Sequence, residues 1–407
     1  MKRLMEVALG MVTGIGGFLE AGSIATSAQA GADFGYQLIW AIALGTLSLI
    51  VLVEMAGRLA LVSQRPLADA MRERFGITYF VVPLVVGLVV SVLVLASELG
   101  GVALALEMVT GIAFRWWVLP VAFVGWTLLW KGRFGVLEKG TATLGLVSVA
   151  IAVAAYRLHP QWHAVLAGLA PSAPSEEGEH AHYWFLAVSI FGASVSPYLY
   201  YFYSAGAIEE HWDLSYLNTN RLTATLGNGL GGALSVAVLV VAVLVFKARG
   251  IHVEKIQQLG VMLTPALARK GFVFMVATVG INCFGATVEV ALACAYLLAQ
   301  AFGWEWTEDA KPREHARFSV TYTATIVVAT VPSLLGVDVL KLTNFSMALT
   351  SASLPVTVLP LLVLMNDRRL LHTHRNRWLG NLALGAIALL TVVLLVVTVP
   401  LQILGSD

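Results

Sequence analysis

The chain has 407 residues, of which 58% are hydrophobic and only 12% charged, with a mean hydropathy of +0.82 and a formal net charge of +1. That much apolar surface cannot be hidden in a water-soluble core, so the bilayer is the solvent, and the near-zero charge offers no hold on nucleic acid. The two cysteines, Cys283 and Cys294, share one apolar segment and read as small buried residues, which excludes a disulfide framework or a thiolate metal site.

Met1-Lys2-Arg3, an apolar run and then Ala28-Gln29-Ala30 imitate a secretory signal with its cleavage site. Glu20, however, stands between the apolar core and that site, and the rest of the chain is embedded in the membrane, so the segment reads as a retained first span. Apolar stretches fall at 5–31, 36–63, 79–112, 116–130, 134–157, 183–208, 220–247, 271–302, 316–335, 339–365 and 377–404, which predicts eleven transmembrane helices in an all-α membrane protein. Connections on one side carry Arg65, Arg72, Arg74, Lys131, Arg133, Lys311, Arg313, Arg317, Arg368, Arg369, Arg375 and Arg377. The other side carries the acidic loop Ser175-Glu176-Glu177-Gly178-Glu179. This asymmetry predicts a multi-pass protein of the plasma membrane with its N-terminus in the cytoplasm and its C-terminus outside.

Two of these runs are interrupted. In the first, Glu20-Ala21-Gly22-Ser23 puts a charge, a glycine and a helix-capping serine where an apolar helix should continue. A charge at the bilayer centre costs about 2.5–3.5 kcal/mol, so it persists where it is partnered or wet. In the second, residues 192–204 read GASVSPYLYYFYS, and Pro197 removes a backbone donor in mid-run. Matched interruptions in the two halves of a chain are the mark of an inverted-repeat transporter with its substrate between the broken helices. The expected organisation is a first repeat over 1–157 (helices one to five), an external loop over 158–182, and a second repeat over 183–366 (helices six to ten). Residues 367–407 then form a cytoplasmic loop and a peripheral eleventh helix.

With Ile24-Ala25-Thr26-Ser27-Ala28-Gln29-Ala30-Gly31, Phe34-Gly35-Tyr36, Gly57-Arg58-Leu59, the run Pro66 to Phe75, Pro360-Leu361-Leu362 and Asp367-Arg368-Arg369, the chain resembles the NRAMP divalent-metal transporters over most of its length. The resemblance implies the LeuT-type fold of five plus five inverted helices with the first and sixth broken, a monomer, and no cofactor. The signature motifs differ, however. Glu20-Ala21-Gly22-Ser23 stands where the family has Asp-Pro-Gly-Asn, and Ser196-Pro197-Tyr198 where it has Met-Pro-His. Tyr203 replaces a further histidine, Leu95 replaces one of an acidic pair that keeps Glu98, and Met347 replaces a glutamine of the tenth helix. Thioether and amide ligands suit Mn²⁺ and Fe²⁺ and hydroxyls do not, which argues against ordinary proton-coupled uptake of those ions.

Two substrates fit what is left. The resemblance to a branch of NRAMP-related proteins that carries bicarbonate implies an anion cradle of half-helix N-termini and hydroxyls, with Glu20, Gly22, Ser23, Ala193, Ser194, Ser196, Tyr198 and Tyr201 as candidate binding residues. Glu20, Thr287, Glu289 and Glu98 would then hold a coupling cation, Na⁺ or H⁺. Alternatively, Glu20, Ser23, Ser196 and the Ala193 carbonyl form a hard-cation site for Mg²⁺ or a similar divalent ion. An unrelated small solute, or a scaffold without transport, remains open at this level.

Glu54 and Arg58, four apart, read as a local ion pair, and Glu138-Lys139 as an interface pair. Tyr200 and Tyr203 read as packing aromatics and the nine histidines as loop residues, while Asn228, among glycines, is a candidate for the cavity wall. No nucleotide loop, catalytic triad or haem motif points to an enzyme.

Overall fold

A computed structural model describes residues 18–131, 140, 143, 145–172, 174, 180–307 and 312–404. Nearly all of these residues are helical. Helix α1 (Ala21–Phe34) is built mostly of alanine, glycine, serine and threonine, and all of it but Asp33 is buried. Small side chains let other helices close around it, and α9 (Leu217–Val245) packs along it so closely that the Gly31 Cα faces the Leu239 carbonyl. Gly35, at φ +65°, allows the turn that leads through Gly35–Leu38 into α2 (Ile39–Ser63).

Beyond the short α3 (Leu67–Phe75) come α4 (Ile77–Thr110), α5 (Phe114–Trp130) and α6 (Val149–Arg157). Helix α7 (His180–Ser194) ends at Val195-Ser196, and α8 (Pro197–Glu209) begins with proline in its first turn, where a missing N–H costs nothing. Ser196 is extended, at φ −80° and ψ 129°. After α9 come α10 (Arg269–Phe302), α11 (Ala316–Leu334), α12 (Val339–Ser353), α13 (Pro355–Leu364) and α14 (Trp378–Leu404). The central pair is α4 with α10, which run side by side, with α12 lying against α4, α7 and α1. Helix α14 packs on α12 and α13 and turns Leu389 and Val396 outward.

Among the described residues, seven segments are long and apolar enough to cross a membrane: Ala21–Ser63, Ile77–Thr110, His180–Glu209, Leu214–Arg249, Arg269–Phe302, Val339–Leu364 and Trp378–Thr398. The shorter Phe114–Trp130 and Leu146–Arg157 are apolar too. The difference from the eleven expected runs has physical causes. Ala21–Ser63 is one continuous apolar stretch bent by a single 3₁₀ turn, and Ala316–Leu334 is diluted by Arg317 and its threonines. Residues 5–17 of the first expected span, Glu138-Lys139 and the acidic loop 175–179 lie outside the described residues.

Candidate ion-binding site

Glu20 stands immediately before α1 in extended conformation and is fully buried. Its Oε2 accepts a hydrogen bond from the Tyr198 hydroxyl at 2.6 Å, while Oε1 has no hydrogen-bond partner. Tyr198 lies in the first turn of α8, so this bond joins the starts of the two helices. The Ala21 N–H, one of the orphan donors of α1's first turn, donates to Glu98 Oε2 at 3.2 Å. Glu98 comes from the middle of α4, is fully buried, and likewise keeps a bare Oε1. The Cys283 thiol of α10 lies near the same carboxylate. Glu289, also on α10 and buried, acts electrostatically on both Glu98 and Tyr198. Three glutamates from separate parts of the chain thus act electrostatically on one phenol, of which Glu20 alone bonds it, and among the described residues neither Glu20 nor Glu98 has a lysine or arginine ion pair.

The predicted hydroxyls do not converge there. Ser23 Oγ donates to the Glu20 carbonyl at 3.1 Å, Ser196 Oγ to the Gly192 carbonyl at 3.2 Å, and Thr287 Oγ1 to the Cys283 carbonyl at 2.8 Å. Each satisfies its own helix, as hydroxyls in an apolar helix do. Ser194 is turned against Gly45 of α2, and the Tyr201 hydroxyl points to Met71 Sδ of α3 at 3.4 Å. Of the hydroxyls expected to form the cradle, Tyr198 is the one whose hydrogen bond reaches Glu20 from another helix. Ala193 sits in the last turn of α7, and Pro197, four residues on, has no N–H to offer its carbonyl. Gly22 has a different role from ligand: a Cβ there would lie 2.6 Å from Met347 Sδ, so its bareness lets α12 press its methionine onto the start of α1.

Sequence reasoning missed two contacts. Cys283 reads as packing, yet its thiol lies near Glu98; its place one turn before the predicted Thr287 was the available signal. Met347 is marked in the sequence as standing for a glutamine, but its contact with Gly22, which spans most of the chain, is not. Elsewhere, Arg58 Nε pairs with Glu54 Oε1 at 3.1 Å as the spacing implies. Tyr200 bonds Thr357 Oγ1 at 2.5 Å, and Tyr203 packs on Trp212. Asn228 bonds the Ala224 carbonyl of its own helix at 2.8 Å. Two of the histidines, His182 and His252, hold the carboxylate of Asp33 at 3.1 and 2.7 Å.

A buried acidic cluster at a helix start, within a bundle of apolar helices, is the setting in which a membrane transporter handles ions, and the fold is that of such proteins. Over 98% of its length the chain superposes on 87% of a manganese transporter of Eremococcus coleocola, with a TM-score of 0.74 and 21% identity. It also superposes on MHP1, a nucleobase-cation-symport-1 family transporter, with a TM-score of 0.62 and 14% identity, covering 97% of this chain and 91% of that one. The family model described as natural resistance-associated macrophage protein-like, Nramp, matches residues 10–400, and the chain belongs to that family. It is a membrane transporter of LeuT-like fold and not an enzyme. Similar proteins include the divalent metal cation transporter MntH of Aeromonas hydrophila, 23% identical over 88% of this chain and 87% of the relative. MntH 1 of Pseudomonas aeruginosa is 27% identical over 96% and 90%.

Proposed function

We propose that the chain is a secondary transporter of a hard divalent cation, Mg²⁺ foremost, which binds between Glu20 and Glu98. The observation that carries this reading is the pair of bare carboxylate oxygens, Glu20 Oε1 and Glu98 Oε1, buried without a basic partner. Carboxylates at this depth demand positive charge. Mg²⁺ takes one or two carboxylates and keeps several waters, which suits a site whose motif positions hold Ser23 and Ser196. The names of the MntH relatives support a divalent substrate. Met347 over the start of α1 and the Cys283 thiol near Glu98 are soft groups close to the interruption, so Mn²⁺ belongs in the test.

Bicarbonate with a coupled Na⁺ or H⁺ is the second reading. It rests on the two helix starts that face each other, and it is weakened by Glu98, an internal anion, occupying the Ala21 N–H. In either reading the two repeats are 1–157 and 183–366, the eleventh helix is peripheral, the working unit is a monomer in the plasma membrane, and the N-terminus faces the cytoplasm. Uptake into proteoliposomes tests the choice, with Mg²⁺, Mn²⁺ and labelled bicarbonate offered separately. Divalent uptake that Glu20→Gln and Glu98→Gln each abolish is expected. Bicarbonate uptake raised by Na⁺, with no divalent flux, overturns the proposal and returns Glu20, Glu98, Thr287 and Glu289 to a coupling-cation role.

A further inference from the structure

A cavity of about 790 Å³ lies beside the later turns of α2 and has none of Glu20, Glu98 and Glu289 in its lining. It is bounded by α2, the first turns of α9 and the strap 373–377 that leads into α14. Arg58 builds its floor: Nη1 donates to the His374 carbonyl and Nη2 to Asn376 Oδ1, each at 2.8 Å, while Glu54 neutralises its charge. That leaves Arg221, Arg375 and Arg377 as surplus charge on the cavity wall. Arg221 is exposed and stands 3.7 Å from a Glu54 already committed to Arg58. Arg375 and Arg377 are exposed, and their guanidinium groups make no ion pair or hydrogen bond among the described residues.

The remaining wall is apolar. Ile50 and Val51 of α2 face Leu379 and Ala383, one turn apart on α14, and continue the cavity along the helices. Trp378, 72% exposed, stands at the head of α14 beside the arginines, the level at which tryptophan marks a membrane–water boundary. Two unpaired arginines, and a third that shares Glu54 with Arg58, above an apolar slot between transmembrane helices match a ligand with an anionic head and a hydrocarbon tail.

We infer that this cavity binds the phosphodiester headgroup of an anionic glycerophospholipid, with Arg221, Arg375 and Arg377 on the phosphate and an acyl chain between α2 and α14. Guanidinium forks match phosphate oxygens in pairs, and basic pockets between transmembrane helices take anionic headgroups for that reason. The bound lipid would fasten α14 to α2 and α9 through the strap. This inference is independent of the transported ion.

The test is lipid retention by the purified full chain, read by native mass spectrometry after equilibration in mixed phosphatidylglycerol and phosphatidylcholine micelles. Phosphatidylglycerol should be retained at least about tenfold over phosphatidylcholine, and the preference should fall about fivefold for each arginine removed in Arg375→Ala, Arg377→Ala and Arg221→Ala. Arg375→Lys/Arg377→Lys, which keeps the charge without the fork, should fall between. These residues are exposed and leave the Arg58 anchor intact, so the variants should fold. Equal retention of the two lipids, or an undiminished preference in the triple variant, overturns the inference. Thermal stabilisation by millimolar inorganic phosphate equal to that by phosphatidylglycerol, with no lipid retained, also overturns it, since the site would then take a free anion.

Discussion

The contact of Met347 with two glycines can be tested by adding a single methyl group at each. A Cβ at Gly22 would lie 2.6 Å from both Met347 Sδ and Cε. The optimum for such a pair is about 3.5–4.0 Å, so about 1 Å of overlap must be relieved. The methionine is flexible, and overpacking of this kind costs about 1–3 kcal/mol, of which helix propensity returns about 1 on exchange of glycine for alanine. Gly22→Ala should therefore lose roughly 1 kcal/mol. A Cβ at Gly192 would overlap the Met347 carbonyl oxygen, which is main chain and cannot rotate away. Gly192→Ala should lose at least about 3 kcal/mol, the upper end of the overpacking range. The two sites differ in their response to Met347→Ala. In Gly22→Ala/Met347→Ala the clash is gone, and the double variant should be more stable than the sum of the singles predicts by about 1–3 kcal/mol. In Gly192→Ala/Met347→Ala the opposing carbonyl remains, and the costs should add to within about 0.5 kcal/mol. Unfolding in a graded detergent series, with all variants in the same lipid, gives the four values. Strict additivity at Gly22, or a Gly192→Ala protein as stable as the parent, would refute the packing described for α1, α7 and α12.

Tyr198→Phe removes the donor to Glu20 Oε2, and bonds to charged groups contribute about 1.5–3 kcal/mol, so the variant should melt measurably lower. An unchanged melting temperature would show that the bond does not hold α8 to Glu20. Arg58→Ala releases the strap 373–377, and tryptic cleavage after Arg375 and Arg377 should accelerate about tenfold or more, with Arg58→Lys close behind because lysine lacks the fork; cleavage at the parental rate would mean that other contacts hold the strap. Burial raises the carboxyl of Asp69 on α3 above its ordinary 3.8, with Arg72 and Arg65 pulling the other way. The folded state thus holds this proton more tightly. The stability it brings is complete below the unfolded value and is lost as pH rises through the folded one. Asp69→Asn should flatten that acid segment of the stability profile, and an unaltered slope would assign it to other groups.

Much of the fold is legible because a membrane simplifies the problem: long apolar runs must be helices, and their edges carry the charges. The second interruption is legible too. Pro197 cannot donate to Ala193, so Ser194 ends one helix and Pro197 starts the next. The direction of each side chain is not. α1 is buried on nearly every side and α8 is an apolar run without a polar stripe, so no polar face reveals which way a residue points. Tyr198 and Tyr201 lie in one apolar run, yet one reaches Glu20 and the other Met71. Ser23 and Ser196 look like ligands in the sequence because they interrupt apolar runs, and a hydroxyl can always turn back to its own helix instead. Glu98 stands out as a carboxylate within an apolar run, but its partner, the Ala21 N–H, lies 77 positions away.

The sign of the transported ion can be argued from how α1 begins. A helix start offers N–H groups and a positive dipole end, which favours an anion. Here Glu98 supplies that anion from within the chain, and Glu20 adds a second carboxylate beside it. A bicarbonate entering this site would bring a third negative charge to a place where, among the described residues, no lysine or arginine pairs with either carboxylate, so a cation would have to bind first in either reading. Loss of Glu20 or Glu98 therefore cannot separate the two readings by itself, whereas the serines can. The Ser23 and Ser196 hydroxyls are engaged with the Glu20 and Gly192 carbonyls. For cation transport their removal in Ser23→Ala/Ser196→Ala should shift KM less than about threefold, since such back-bonded hydroxyls contribute little. An anion carrier would need those donors on the substrate, and losing two hydrogen bonds to a charged group should raise KM by tenfold or more, at about 1.5–3 kcal/mol each. A large KM effect on divalent uptake in the double variant would refute the carboxylate-centred site and place the serines on the ion.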